Sequence, residues 1–466
     1  MAKCTIARGR SIQASRRDGG DWGFRRVKSD CPRQKGDRLQ VRRSRQTARM
    51  RVPGPHPTTV CLTVASAMTT TSIPIHGVCD PRFSAVREEF ERNFRERGEI
   101  GAAVCVYQDG KKVVDLWGGH KDMERTVPWA EDTIVIMNSV AKSMCALSTH
   151  ILLDRGFIDF DAPVARYWPE FAAAGKEGVL VRHVLSHTCG VIYCDHAPPG
   201  SWFDWNAHIR ALEQQAPAWK PGTKGAYNSI NIGYILGEVV RRVTGRSVGT
   251  FLREEVAGKL GADYHIGLRP DEIVRVSDMH RNPKNQFFKI AYDQSTPLGR
   301  AFRSAPKMEY FQNCREIREC EVASFGGHGN ARAMARIYAM LAGNGTVDGV
   351  RLLSAEAVER AAGLVWEDDC IMTRRRIRMG YGFMHNEPNT VPMGENMKAF
   401  GHTGTGGAFT WCDRERNLAF AYCTNFQREG PDMAFIALGS IPLGATPAER
   451  ASIWSPLRWW VKASAI

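Results

Sequence analysis

Along most of the chain apolar residues recur at one of two periods, and the switches between them locate the elements. From Asp80 onward Phe83, Val86, Phe90 and Phe94 fall at helical spacing among charged residues, which predicts an amphipathic helix. Ala103 to Gln108 and Lys111 to Trp117 are β-like runs joined by Asp109-Gly110, a pair suited to the primed turn of a hairpin. Met144, Leu147, Ile151 and Leu152 line a helix that opens at Ser139 and is closed by Gly156. Ile235, Leu236, Val239, Val240 and Val243 line another within 230–243, ended by Gly245. Asn330 is placed to cap a third, with Met334, Ile337, Tyr338 and Leu341 on one face and Gly343-Asn344-Gly345 as its stop. Ala408 to Asp413 and Leu418 to Thr424 are β-rich runs around a four-residue turn. Residues 448–461, with Trp454, Leu457, Trp459 and Trp460, predict a packing helix kinked at Pro456. Strands near both ends with helices between them predict an α+β fold. In it an antiparallel sheet flanked by helices is built from residues 74–136 and 324–466, and a mostly helical domain, 137–323, is inserted.

Residues 1–73 break this pattern. Up to Met68 they are rich in Arg, Ser and Gly, lack Glu, and show no sustained periodicity. Three readings compete: a disordered basic arm, an organelle-targeting segment, and a leader upstream of a true start at Met50 or Met68. Residues 58–67 end in Ala-Ser-Ala and faintly resemble a secretory signal. The first 68 residues hold sixteen Lys and Arg against four Asp, which accounts for most of the net charge of +14. The remainder is nearly neutral, so no nucleic-acid groove is expected on the folded part. A length of 466 residues, 43% hydrophobic and 24% charged, suits a globular enzyme with a large core. Thirteen cysteines follow no repeating spacing, and several, such as Cys105 and Cys145, sit in apolar runs. They read as buried small hydrophobes of a reducing, cytoplasmic compartment. No apolar run reaches eighteen residues, so no membrane span is expected.

Against that frame three stretches carry chemistry. Ser139 and Lys142 form a Ser-x-x-Lys box, and three residues apart at a helix start they share a face. A serine hydroxyl needs a nearby base to act as a nucleophile, and a lysine whose pKa is lowered by burial can be that base. The helix N-terminus also favours negative charge developing at Ser139. Tyr227 lies in the run 221–229; a phenol beside a lysine ammonium is expected to shift toward phenolate and to shuttle protons. The run 400–407 contains His402-Thr403-Gly404, where glycine lets the backbone approach an acyl group and one N–H can face a carbonyl oxygen. His187, Cys189, Cys194 and His196 do not match a familiar zinc spacing, and no metal or other cofactor is expected. Arg374-Arg375-Arg376-Ile377-Arg378 reads as a solvated edge, and Trp117 as core.

With these boxes in order, the chain resembles the serine β-lactamase and penicillin-recognising enzyme superfamily over roughly residues 80–466. It is most similar to the class C-like branch that includes family VIII carboxylesterases and some D-alanyl-D-alanine peptidases. The stretches 113–119, 184–190 and 326–336 fit the same branch. The resemblance implies Ser139 as nucleophile, Lys142 as its base and Tyr227 as proton shuttle to the leaving group. It implies an oxyanion hole from the N–H groups of Ser139 and Thr405, substrate contacts from Ser229, His402 and Gly404, and a loop-fixing role for His187. Two positions depart from the β-lactamase pattern: Ser229 stands where Asn is usual, and His402 where Lys is usual. Each change removes a contact to an amide or carboxylate, so the expected substrate is a small-molecule, short-chain carboxylic ester. The alternatives are a β-lactamase or D-alanyl-D-alanine peptidase on the same site, or a non-catalytic scaffold.

Overall fold

Among the described residues, nine strands drawn from the two ends of the folded body make one sheet. They are β1 (Ile75–Cys79), β2 (Gly101–Gln108), β3 (Lys111–Gly119), β4 (Leu364–Cys370), β5 (Arg375–Gly380), β6 (Met384–His385), β7 (Phe400–Thr403), β8 (Phe409–Asp413) and β9 (Leu418–Thr424). Their order is β4-β5-β6-β7-β8-β9-β2-β3-β1, with every neighbouring pair antiparallel. The join between the halves is the β9–β2 ladder, which runs from Leu418 opposite Gln108 to Thr424 opposite Ala102. The computed structural model describes residues 73–427, apart from Gln286 and Glu309, and two short strands, Ala14–Arg16 and Trp22–Phe24. Those two pair antiparallel within a separate unit, Met1–Thr69. The expected helix at 448–461 and most of residues 1–73 lie outside the described residues. Among the described residues no helix is long and apolar enough to cross a membrane.

The β2–β3 hairpin turns at Asp109 and Gly110, both at positive φ (52° and 73°), as the primed turn requires. Helix α1 (Ser84–Glu96) lays Phe90 and Phe94 on the sheet, and Phe90 meets Tyr422 of β9 edge to face. Buried Asp115 of β3 pairs with Lys112 and, at 2.6 Å, with Arg332 of α4 (Ala331–Ala342). The Arg332 guanidinium also lies 5.5 Å from the ring centre of Trp117, which is half-buried there. Helix α4 begins as the sequence predicts: the Asn330 side chain accepts from the Ala333 N–H.

Helix α2 (Val140–Asp154) is buried on every side, not on the single face that its apolar spacing indicates. Most polar groups among its buried positions are satisfied within the helix or by a neighbour, although His150 Nδ1 has no partner among the described residues. Ser148 and Thr149 each donate to the carbonyl four residues back, and His150 Nε2 lies 2.9 Å from Tyr381 O. Helix α3 (Asn231–Thr244) packs along α2 and stops at Gly245 with φ 70°. The strand leading into α2, Ile134–Asn138, does not join the large sheet. It lies between Gly327–Gly329 (antiparallel) and Val276–Ser277 (parallel) in a second sheet completed by Tyr264–Ile266. Its partners come from the middle of the chain, so local pattern could not assign it.

The segment after β7 passes hard against that strand. A Cβ on Gly404 would stand 2.1 Å from Met137 O, so only glycine fits without moving backbone. We expect Gly404→Ala to lower stability by about 1–3 kcal/mol, seen as a lower Tm in thermal unfolding. An unchanged Tm would mean that this approach is looser than described.

Candidate active site

The strand Ile134–Asn138 ends in a left-handed residue, Asn138 (φ 47°), and the chain turns there directly into α2. A non-glycine residue in that region needs support from outside. The Asn138 amide supplies it by donating to Thr405 O. Ser139 is thereby fixed as the N-cap of α2 at the junction of both segments, with 9% of its surface exposed.

One turn on, Lys142 is fully buried. Its Nζ lies 3.0 Å from Ser139 Oγ and 2.8 Å from Ser324 O. Burial removes water from the ammonium and brings the pKa down to about 7. Ser324 is held in turn by α3: its hydroxyl donates to Ile230 O and accepts from the Gly233 N–H at 2.8 Å. A Cβ on Gly233 would come within 2.5 Å of Ser324 N, so glycine is what lets α3 approach this backbone.

Tyr227 is buried, with its ring centre 5.1 Å from Lys142 Nζ. The expectation that lysine shifts this phenol toward phenolate is corrected. Burial raises its pKa above the usual tyrosine value, and a hydrogen bond with Ser139 offsets only part of that rise. Tyr227 is therefore a neutral phenol at pH 7. Its loop is pinned by His187, whose Nδ1 accepts from Asn228 N at 2.8 Å and whose carbonyl accepts from Ala226 N. The His187 ring stacks on Tyr227 at 5.3 Å between centres and 11° between planes. Burial, with the neighbouring His402 and Lys142, keeps the His187 pKa well below 6.5, so this ring is a neutral prop.

His402 on β7 is completely buried, with Nδ1 2.7 Å from Thr403 O. Burial and the neighbouring Lys142 lower its pKa to about 3, so it carries no charge at pH 7. It stands behind the wall: Thr403, Gly404 and Thr405 line the cavity, and His402 does not. That cavity, about 450 Å³, is also lined by Ser139, Tyr227 and Ser229, with Phe287, Leu298 and Phe302 on an apolar side. Ser229 Oγ is buried there, and among the described residues it has no hydrogen-bond partner. The N–H groups of Ser139 and Thr405 likewise find no protein acceptor among the described residues.

The arginine run is solvated as expected at Arg374, Arg375 and Arg376, which are all exposed, while Arg378 is largely covered. Arg376 and Arg378 both pair with Glu367, and Arg374 and Arg375 also line the cavity, which the expectation did not include. Sequence reasoning also missed the hairpin β4–β5 that carries them, because β4 (LVWEDDC) is largely exposed and shows no buried stripe. Its Trp366 donates to Ser186 O at 2.7 Å and packs on Gly225, which ties the hairpin to the Tyr227 loop. Ser324 was missed as well, since it acts through its backbone carbonyl, which leaves no mark on residue type.

With the geometry in place, comparison with known proteins gives its context. Residues 88–438 match the Beta-lactamase family. The chain is 34% identical to the esterase/beta-lactamase LipL of Mycobacterium tuberculosis over 363 residues, 75% of this chain and 83% of that protein. A solved family VIII carboxylesterase is 36% identical with a TM-score of 0.73, covering 78% of this chain and 98% of that one. A penicillin-binding protein homologue from Caulobacter crescentus is 37% identical with a TM-score of 0.72, over 79% and 98% of the two chains. The chain belongs to the Beta-lactamase family and is a serine hydrolase of that superfamily.

Proposed function

We propose that the protein is a carboxylesterase that hydrolyses short-chain esters through an acyl-enzyme on Ser139. The observation that carries this reading is the buried Lys142 amine 3.0 Å from Ser139 Oγ, with its pKa near 7. In the neutral form Nζ takes the hydroxyl proton as Oγ attacks the ester carbonyl. The N–H groups of Ser139 and Thr405 receive the developing oxyanion. Tyr227, a neutral phenol, donates its proton to the departing alkoxide and is reprotonated from Lys142. Water then attacks the acyl-enzyme by the reverse relay and releases the acid. Similarity to proteins named as esterases supports the substrate class. An uncharged His402, set behind the wall, supports it too, since a fixed cation at that position would favour the carboxylate of a β-lactam.

Ser139→Ala is expected to lower kcat/KM for p-nitrophenyl butyrate by at least about 10³-fold. On one panel of p-nitrophenyl esters, nitrocefin and a D-Ala-D-Ala peptide, the short esters should give the highest kcat/KM. Wild-type turnover by the variant would remove Ser139 from the mechanism. A higher value for nitrocefin or the peptide would turn the reading to a lactamase or peptidase on the same residues.

The Lys142 pKa has two consequences of opposite sense. The base must be neutral, so kcat/KM should rise with pH through a midpoint near 7, and neither His187 nor His402 titrates in that range. For stability, the folded pKa lies below the unfolded 10.5. Between about 7 and 10.5 the unfolded chain holds a proton that the folded chain has shed, so this residue's contribution improves as pH rises across that window and is least favourable below it. Lys142→Met should therefore abolish turnover while holding or raising Tm at pH 6. A pH-independent kcat/KM between 6 and 8, or a variant that unfolds earlier at pH 6, would contradict this assignment.

A further inference from the structure

Four arginines crowd the β4–β5 hairpin, and the strand alternation divides them into two sets. Arg376 and Arg378 point to the outer face and share the Glu367 carboxylate, at 2.6 and 2.8 Å. Arg375 and Ile377 point to the other face and line the cavity that holds Ser139. In the ladder Arg375 stands opposite Cys370, not opposite an acid. Arg374, in the turn at φ 53°, lines the same cavity. Neither Arg374 nor Arg375 forms an ion pair among the described residues. The carboxylate that feels Arg374 is Asp293, exposed and engaged with Ser295.

Both side chains border the cavity and remain exposed to solvent, so two guanidinium groups without an ion-pair partner among the described residues are open to an anion that enters it. Arg375 keeps solvent contact, yet it is crowded enough for desolvation to lower its pKa, and its charge reaches the Tyr227 phenol. A guanidinium is also the side chain best shaped to take both oxygens of a carboxylate or the oxygens of a phosphate. The same cavity is lined by Phe287, Leu298 and Phe302, which offer apolar surface, and by Ser229, whose buried hydroxyl has no partner among the described residues.

We propose that Arg374 and Arg375 form an anion subsite, and that the preferred substrate is an amphiphilic ester bearing a carboxylate or phosphate group away from the scissile bond. The inference rests on the esterase reading of the same cavity and narrows it: an anionic ester should be preferred over its neutral counterpart.

The test separates binding from turnover. In the Ser139→Ala protein, which keeps both arginines, monomethyl adipate and dimethyl adipate are titrated by calorimetry. The monoanion should bind at least about 10-fold more tightly than the diester, the scale of one charge-assisted hydrogen bond. The advantage should shrink as NaCl is raised from 0.05 to 0.5 M and should vanish in the R374Q/R375Q double variant. Arg376→Gln, on the outer face, should leave it intact. In the enzyme with Ser139 present, kcat/KM should favour 3-carboxy-4-nitrophenyl butyrate or 4-nitrophenyl hydrogen glutarate over 4-nitrophenyl butyrate, and whichever of the two is favoured shows which side of the ester carries the anion. Equal binding of the two adipates, or an advantage that survives R374Q/R375Q, would overturn the subsite. Absence of turnover on every ester with the binding preference intact would overturn the esterase reading and leave the subsite standing.

Discussion

The arrangement of this protein depends on one desolvated amine. An ammonium fully withdrawn from water is unfavourable, and the chain accepts that cost at Lys142 because a lysine near neutrality at pH 7 can act as a base toward Ser139, 3.0 Å away. Several otherwise unrelated features keep that pair in place. The carbonyl of Ser324 takes one Nζ proton, and Ser324 is gripped by α3 through Gly233. Asn138 adopts a left-handed backbone so that the strand can end where the helix begins, and it is anchored by its hydrogen bond to Thr405 O. Helix α2 is buried from Val140 to Leu152, which keeps the amine dry.

The other titratable groups around the pair are held neutral. His187 and His402 are deprotonated by burial, and Tyr227 keeps its proton. A charged neighbour at any of these positions would move the Lys142 equilibrium, whereas neutral rings supply shape and proton donation without doing so. Positive charge instead enters the cavity wall from Arg374 and Arg375, on a hairpin distant in sequence from all three boxes. On the proposed reading, reaction and recognition belong to different elements: the chemistry to α2 and the Tyr227 loop, and charge recognition to β4–β5.

Much of this was legible in the residues. The Ser139–Lys142 spacing places both groups on one helical face, the Asp109-Gly110 turn marks its hairpin, and Asn330 marks the start of α4, because each is a local rule of chain geometry. Other features were not legible, each for a physical reason. The strand 134–138 pairs with segments more than a hundred residues away, which no local pattern specifies. Ser324 contributes a carbonyl that every residue possesses. The protonation of Tyr227 is decided by how much water packing excludes, and proximity to lysine alone suggests the opposite sign. The arginine run read as a solvated edge, and three of its members are exposed, but that Arg374 and Arg375 also border the cavity was not legible. It depends on a hairpin whose largely exposed first strand leaves no periodic signal.

The central claim is that Ser139 is the nucleophile activated by Lys142. It is tested most directly by treating the protein with a fluorophosphonate at pH 8 until ester turnover stops, then locating the adduct by proteolysis and tandem mass spectrometry. The account predicts one adduct, on Ser139, formed in step with the loss of activity and absent from Lys142→Met. Inactivated protein with an unmodified Ser139, or an adduct on another residue, would contradict it.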